Sequence, residues 1–453
     1  MRGLSAVVLR PSVWLALGVL ATPLSSSSSP TSAGAVTASD LLLAVGIVLA
    51  AVALARGRGT RMVGTVPAAG FAVLGLLSLA IAAVARDFPT SLVGGVRFLE
   101  LFFLVPVAVM VALRTRTDVA IFLGGLVGLA VVEGAIGIVQ AATGTGADIG
   151  GSTIRAVGTF GAYNIAALAD LAAIAFVVCL GLGTVLTKAA RWWALGTAAF
   201  LAVPLALSLS RGAWLAAAAA AVLVISRGRP LRLLATVAVV AVVAALALPV
   251  LASGSSDLSV RVASVLDAGS EPDQSVIDRQ ALWRAATEMA LDHPLTGVGP
   301  RAFPEHRDAY ADLSLLGSSD IAIGSTFQRV SLDSPHDFYL LVAGELGLVA
   351  AAVFVLVFLV LGARGFVRAA RRRSDLSTAL ALAGAGLLAY ELVSFVSADL
   401  GGPGSIFVAI SLGLAGWAAA DVDLLPDRPR PAPAGWTPID DAAEEPVTVG
   451  SAS

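Results

Sequence analysis

Long apolar runs decide what this chain can fold into. Of its 453 residues, 57% are hydrophobic and only 13% charged, with mean hydropathy +0.89. Runs of about 20 apolar residues predict helices that cross a bilayer, so the fold class is an all-α polytopic membrane protein. About twelve spans are expected, at 4–24, 36–55, 67–85, 91–113, 119–142, 162–187, 192–209, 211–226, 231–251, 336–361, 376–397 and 405–420. The first run has an alternative reading as a signal peptide, because Arg2 and Arg10 precede it. Its interruption by Pro11 and the Ser25–Ser29 tract behind it favour a retained helix.

Four regions follow: spans one to nine in 1–251, a long loop at 252–335, spans ten to twelve in 336–420, and a proline- and acid-rich tail at 421–453 that reads as disordered. Arginine and lysine set the orientation. Alternate short loops carry Arg56, Arg58 and Arg61; Arg114 and Arg116; Lys188 and Arg191; Arg227, Arg229 and Arg232; and Arg364, Arg368 and Arg371 to Arg373. The positive-inside rule makes these loops and both termini cytoplasmic, and the long loop extracytoplasmic with helical content.

That orientation gathers the ionisable residues of the spans, Asp40, Arg97, Glu100, Glu133, Asp170, Arg211, Glu345, Glu391 and Asp399, into the outer half. Each is costly in lipid by at least about 2.5–3.5 kcal/mol at mid-depth, so such groups face a polar cavity or one another. Arg97 and Glu100, one turn apart, read as a pair. The asymmetry suits chemistry in an outward-open chamber better than a transport path, which needs polar lining throughout or a midplane site reached from both sides. The net charge of −2 gives no sign of a nucleic-acid partner, and the one cysteine, Cys179, sits in an apolar run, so there is no disulfide framework. The three histidines, His293, His306 and His336, lack the spacing of a metal site.

Three stretches carry candidate chemistry. In Ser208-Leu209-Ser210-Arg211-Gly212 two spans meet at a tight outer turn. The planar fork of Arg211 suits phosphate oxygens, and the competing reading is snorkelling to lipid head groups. In the long loop, Asp278 to Leu291 has a helical stripe of Leu282, Trp283, Ala286, Met289 and Ala290, with Arg279 and Arg284 as its cations and Gly297-Val298-Gly299-Pro300 as a turn behind it. Such a helix would lie on the outer face as a lid. The third stretch, Ser334-Pro335-His336-Asp337-Phe338-Tyr339-Leu340, opens the tenth span. Ser334 is the expected N-cap, Pro335 the first helical residue, and His336 falls in the first turn, where the helix dipole favours a neutral imidazole. Simple capping of the helix start is the alternative for His336.

Together these residues resemble the O-antigen ligase and polymerase family of bacterial membrane glycosyltransferases. The matching segments are Arg155-Ala156-Val157-Gly158-Thr159-Phe160-Gly161 with Asn164, the Ser-Leu-Ser-Arg-Gly turn, Arg279 through Gly299, and His336 to Gly347. His336 and Gly347 keep the family spacing, while Asp337 and Ala350 depart from its pattern. The resemblance implies transfer or polymerisation of an undecaprenyl-pyrophosphate-linked oligosaccharide onto a hydroxyl acceptor (glycan, lipid or wall polymer), outside the inner membrane and without cofactor or metal. By that resemblance His336 is the base toward the acceptor, and Arg211 and Arg279 hold the pyrophosphate. Arg155, Asp337, Tyr339, Glu345 and Arg284 are further substrate-binding candidates. A transporter or flippase of lipid-linked saccharides is the alternative.

Overall fold

The computed structural model describes residues 9–25, 36–57, 63–148, 154–161, 164–227, 229, 231–238, 274–311, 320–321, 329–330, 333–370, 375–398, 400–420 and 422–425. Asp399, Arg58, Arg61, Arg371 to Arg373, most of the ninth expected span and the tail beyond 425 lie outside the described residues. The helices in chain order are α1 (Pro11–Leu20), α2 (Ala38–Ala55), α3 (Thr65–Val84), α4 (Phe88–Ala112), α5 (Arg116–Thr143), α6 (Ile165–Val185), α7 (Lys188–Leu207) and α8 (Arg211–Ser226). Then come α9 (Gln274–Asp292), α10 (Phe303–Tyr310), α11 (Phe338–Ala369), α12 (Leu376–Ser394) and α13 (Gly402–Ala419). A two-residue antiparallel pair, β1 (Ala147–Asp148) with β2 (Ile154–Arg155), precedes α6.

Among the described residues, nine helices are long and apolar enough to cross a membrane, and α1 and α8 are shorter apolar helices. Of the ninth expected span only 231–238 is described, as helix. Burial separates centre from rim: 89% of the α13 span, 78% of α12 and 72% of α6 is buried, against 22% of α2 and of α7. The apolar side chains of α2 and α7 therefore face outward, where lipid would lie, and α6, α12 and α13 pack on one another as the middle of the bundle. In α4 a π-turn over Glu100–Leu104 precedes Pro106, whose nitrogen has no hydrogen to donate. It places Phe98 and Phe102 in an aromatic cluster with Phe338, Phe354, Phe358 and Phe395, where the Phe338 and Phe395 centroids lie 4.3 Å apart.

The charged residues of the spans are mostly paired. Arg97 bonds Glu100 at 2.7 Å, the pairing its spacing predicts, and Asp40 at 3.0 Å. Asp170 accepts the Tyr390 hydroxyl at 2.8 Å. The open chamber expected from these charges is thus narrowed, since most of them satisfy each other or the backbone rather than line a cavity.

The expected start of the tenth span is corrected. The helix begins at Phe338, with Asp337 as N-cap accepting the Leu340 N–H at 2.9 Å, so Ser334 is not the cap and His336 lies before the first turn. Burial of Phe338 in the aromatic cluster fixes where the helix starts, and Asp, a preferred cap, stands just before it. His336 takes a left-handed backbone, φ +51°, and its N–H bonds the Ser334 hydroxyl at 3.2 Å.

Further along α11, Gly347 is non-helical (φ +88°, ψ +165°), and the break frees backbone groups for the segment that runs from α9 to α10. The carbonyls of Gly344 and Glu345 accept the N–H groups of Val298 (2.9 Å) and Gly299 (3.0 Å), and Leu348 N–H donates to the Pro294 carbonyl at 2.8 Å. The buried Glu345 carboxylate accepts the N–H groups of Arg301 (2.8 Å) and Phe303 (3.1 Å), capping α10. A small separate core of Leu282, Ala285, Ala286, Met289, Phe303 and Leu341 completes the docking of α9 and α10 on α11.

A Cβ on Gly297 (φ +60°) would stand 2.2 Å from the backbone of Glu345, which has nowhere to go. Gly297→Ala is expected to destabilise the docked segment by at least about 1–3 kcal/mol, measured as faster proteolysis within 294–311 at unchanged membrane insertion. Glu345→Gln replaces one of the two accepting oxygens by an NH2 donor, leaving one of the two backbone N–H groups facing it, and should loosen the same segment by about 1–3 kcal/mol, read by the same digestion.

Candidate active site

Three of the sequence's candidate stretches meet at one corner of the bundle. The first is the α7–α8 turn. Ser208 hydroxyl bonds back to the Leu205 carbonyl at 2.6 Å, Leu209 is left-handed (φ +53°), and Ser210 caps α8 through the Ala213 N–H at 3.4 Å. Arg211 is then the exposed first residue of α8, at the positive end of that helix. Gly212 has no side chain because the turn after α12 occupies the space: a Cβ there would lie 2.1 Å from the Ser397 hydroxyl.

That same turn holds the second stretch. The Phe395 carbonyl accepts the Phe338 N–H at 2.8 Å, and the Leu392 carbonyl accepts the Tyr339 hydroxyl at 2.8 Å. The half-buried His336 is therefore suspended two residues ahead of a helix start that is anchored by hydrogen bonds and by aromatic packing. The third stretch is α9, whose Trp283 donates its indole N–H to the Pro335 carbonyl at 2.9 Å. Arg279 is exposed one turn earlier on the same side of α9, since residues four apart share a helix face.

Arg155 comes to the edge of this corner. It ends β2, and the next residue, Ala156, donates its N–H to the Leu207 carbonyl at 3.2 Å, beside the Arg211 turn. Two side chains of α5 fix this segment. Gln140 brackets it through the N–H groups of Val157 (3.1 Å) and Gly158 (2.9 Å) and the Gly158 carbonyl (2.7 Å). Glu133 accepts both the N–H and the hydroxyl of Thr159 at 2.7 Å.

Other candidates are placed differently. Arg284 lies on the exposed face of α9, turned about 100° from Trp283 and about 140° from Arg279. Asp337 is engaged as helix cap, Tyr339 is tied to α12, and Glu345 holds the docked turn and α10. These three shape the corner through the backbone. Glu133, Gln140 and Trp283 are positioning residues that carry no motif in the sequence, because each acts on a segment far along the chain.

Arg211 and Arg279 are carried by elements that each adjoin the His336 stretch or its anchoring turn, and guanidinium groups suit an anion whose charge grows during bond cleavage. No curated protein matches the chain. Residues 196–355, which run from α7 through the docked segment into α11, match the family model described as O-Antigen ligase. That match supports an O-antigen ligase/polymerase-like glycosyltransferase role, and with the apolar helices it makes this a bacterial membrane protein. It spans the stretch that carries Arg211, Arg279 and His336, and over that stretch the chain is similar to the O-antigen ligase/polymerase family.

Proposed function

We propose that the protein transfers or polymerises an undecaprenyl-pyrophosphate-linked glycan onto an acceptor hydroxyl, at the extracytoplasmic face of the plasma membrane and without a metal. The observation that carries this reading is the convergence at one corner of the Arg211 helix start, the α9 helix bearing Arg279, and His336. His336 takes the proton of the acceptor hydroxyl. The acceptor oxygen attacks the anomeric carbon as the bond from that carbon to the pyrophosphate oxygen breaks. Direct displacement of this kind inverts the anomeric centre. Arg211 and Arg279 stabilise the charge that collects on the departing polyprenyl pyrophosphate, as cations held in place before the reaction do. Arg155, beside the Arg211 turn, holds the donor's phosphate or first sugar. The polyprenyl tail stays in lipid, where the exposed apolar faces of the rim helices meet it.

His336→Ala is expected to lower transfer by about 10²–10⁴-fold, the usual contribution of a general base, while donor binding is retained. The check is product formation from a polyprenyl-pyrophosphate glycan in liposomes; transfer at the wild-type rate would return His336 to a capping role. Arg211→Ala and Arg279→Ala should each lose transfer by about 10²-fold or more, without altering membrane insertion. Wild-type transfer is expected to survive chelator treatment, and activity lost to chelator and restored by added metal would overturn the metal-free reading.

A further inference from the structure

We infer that Trp283 is a positioning residue for His336, linking the helix that carries Arg279 to the base; this rests on the assignment of His336 as base. His336 occupies a left-handed backbone (φ +51°), which a residue with a Cβ holds only when its surroundings impose it. Contacts from three directions impose it. On the far side, the Phe338 N–H is fixed to the Phe395 carbonyl and Asp337 caps the helix. On the near side, the His336 N–H is turned onto the Ser334 hydroxyl. The third contact comes from outside the stretch: the indole N–H of Trp283 holds the carbonyl of the peptide that joins Pro335 to His336. Orientation of that peptide plane sets φ of His336, and with it the direction of the imidazole.

Trp283 itself has little freedom. Its neighbours Leu282, Ala285 and Ala286 are buried, and Ala286 lies so close to Gly344 that a Cβ there would come within 3.1 Å of the Ala286 carbonyl. α9 is thus seated along the first turns of α11, and any shift of α9 is felt at the Pro335 carbonyl. Arg279 shares the Trp283 side of α9, so the helix that presents this cation is also the one that aims the histidine.

The test compares wild type, Trp283→Phe, and the protein with β-(3-benzothienyl)alanine at 283, which keeps the indole shape and drops only the N–H donor. Each is made in the wild-type and His336→Ala backgrounds and assayed in liposomes for donor KM and kcat. In the wild-type background the loss of the donor is expected to lower kcat about 10–100-fold, with donor KM within about twofold, as for a misaimed catalytic group. In the His336→Ala background the same change should leave the residual rate unaltered, because residues that act as a unit are not additive. Wild-type kcat in the benzothienyl protein, or a loss that multiplies in the His336→Ala background, overturns the inference and leaves the base assignment standing. Full transfer by His336→Ala alone overturns both.

Discussion

The seating of α9, α10 and the turn between them depends on the break in α11 at Gly347. A continuous helix consumes its own carbonyl and N–H groups and offers a neighbour only side chains. At Gly347, with φ +88° and ψ +165°, the ladder is interrupted, and the backbone of α11 becomes a template for the 294–299 turn. Glycine is required there twice over: the conformation is closed to other residues, and a Cβ would stand 2.8 Å from the Leu295 and Pro294 backbone. From this foothold the rest follows in order. The turn fixes the end of α9, α9 brings Trp283 to the Pro335 carbonyl, and the same helix carries Arg279 to the corner where Arg211 begins α8.

Polar groups inside the bundle are used with economy. Arg97 bridges two carboxylates, Glu133 and Glu345 hold backbone N–H groups of segments that would otherwise hang loose, and Asp170 and Tyr390 satisfy each other. Burying such groups is tolerable only because each is hydrogen-bonded. The result is that the cations proposed to meet the donor, Arg211 and Arg279, are exposed residues on helices whose own positions are fixed by buried, neutralised contacts.

Much of this was legible in the sequence, and the limits are instructive. Apolar runs mark the spans because lipid leaves the backbone no alternative, and the Ser-Leu-Ser-Arg-Gly turn was readable from local chemistry alone. The start of α11 was misplaced by three residues because Ser334 and Asp337 are both good caps. The choice between them was made by where Phe338 finds its partners on α4 and α12, which no local pattern shows. Glu345 looked like a site residue because a buried acid in a span is rare; its partners Arg301 and Phe303 sit 44 and 42 residues away, and only the fold reveals them. Trp283 read as one member of an apolar stripe, yet its N–H acts 52 residues further on.

The direction in which these contacts run along the chain bears on how the protein is made. α9 and the 294–299 turn leave the ribosome before α11, yet the carbonyls and the carboxylate that seat them belong to α11. The segment lacks these partners until α11 has been made. Its assembly is therefore a late event in biogenesis, and the corner that carries His336 closes only when the C-terminal helices join the bundle.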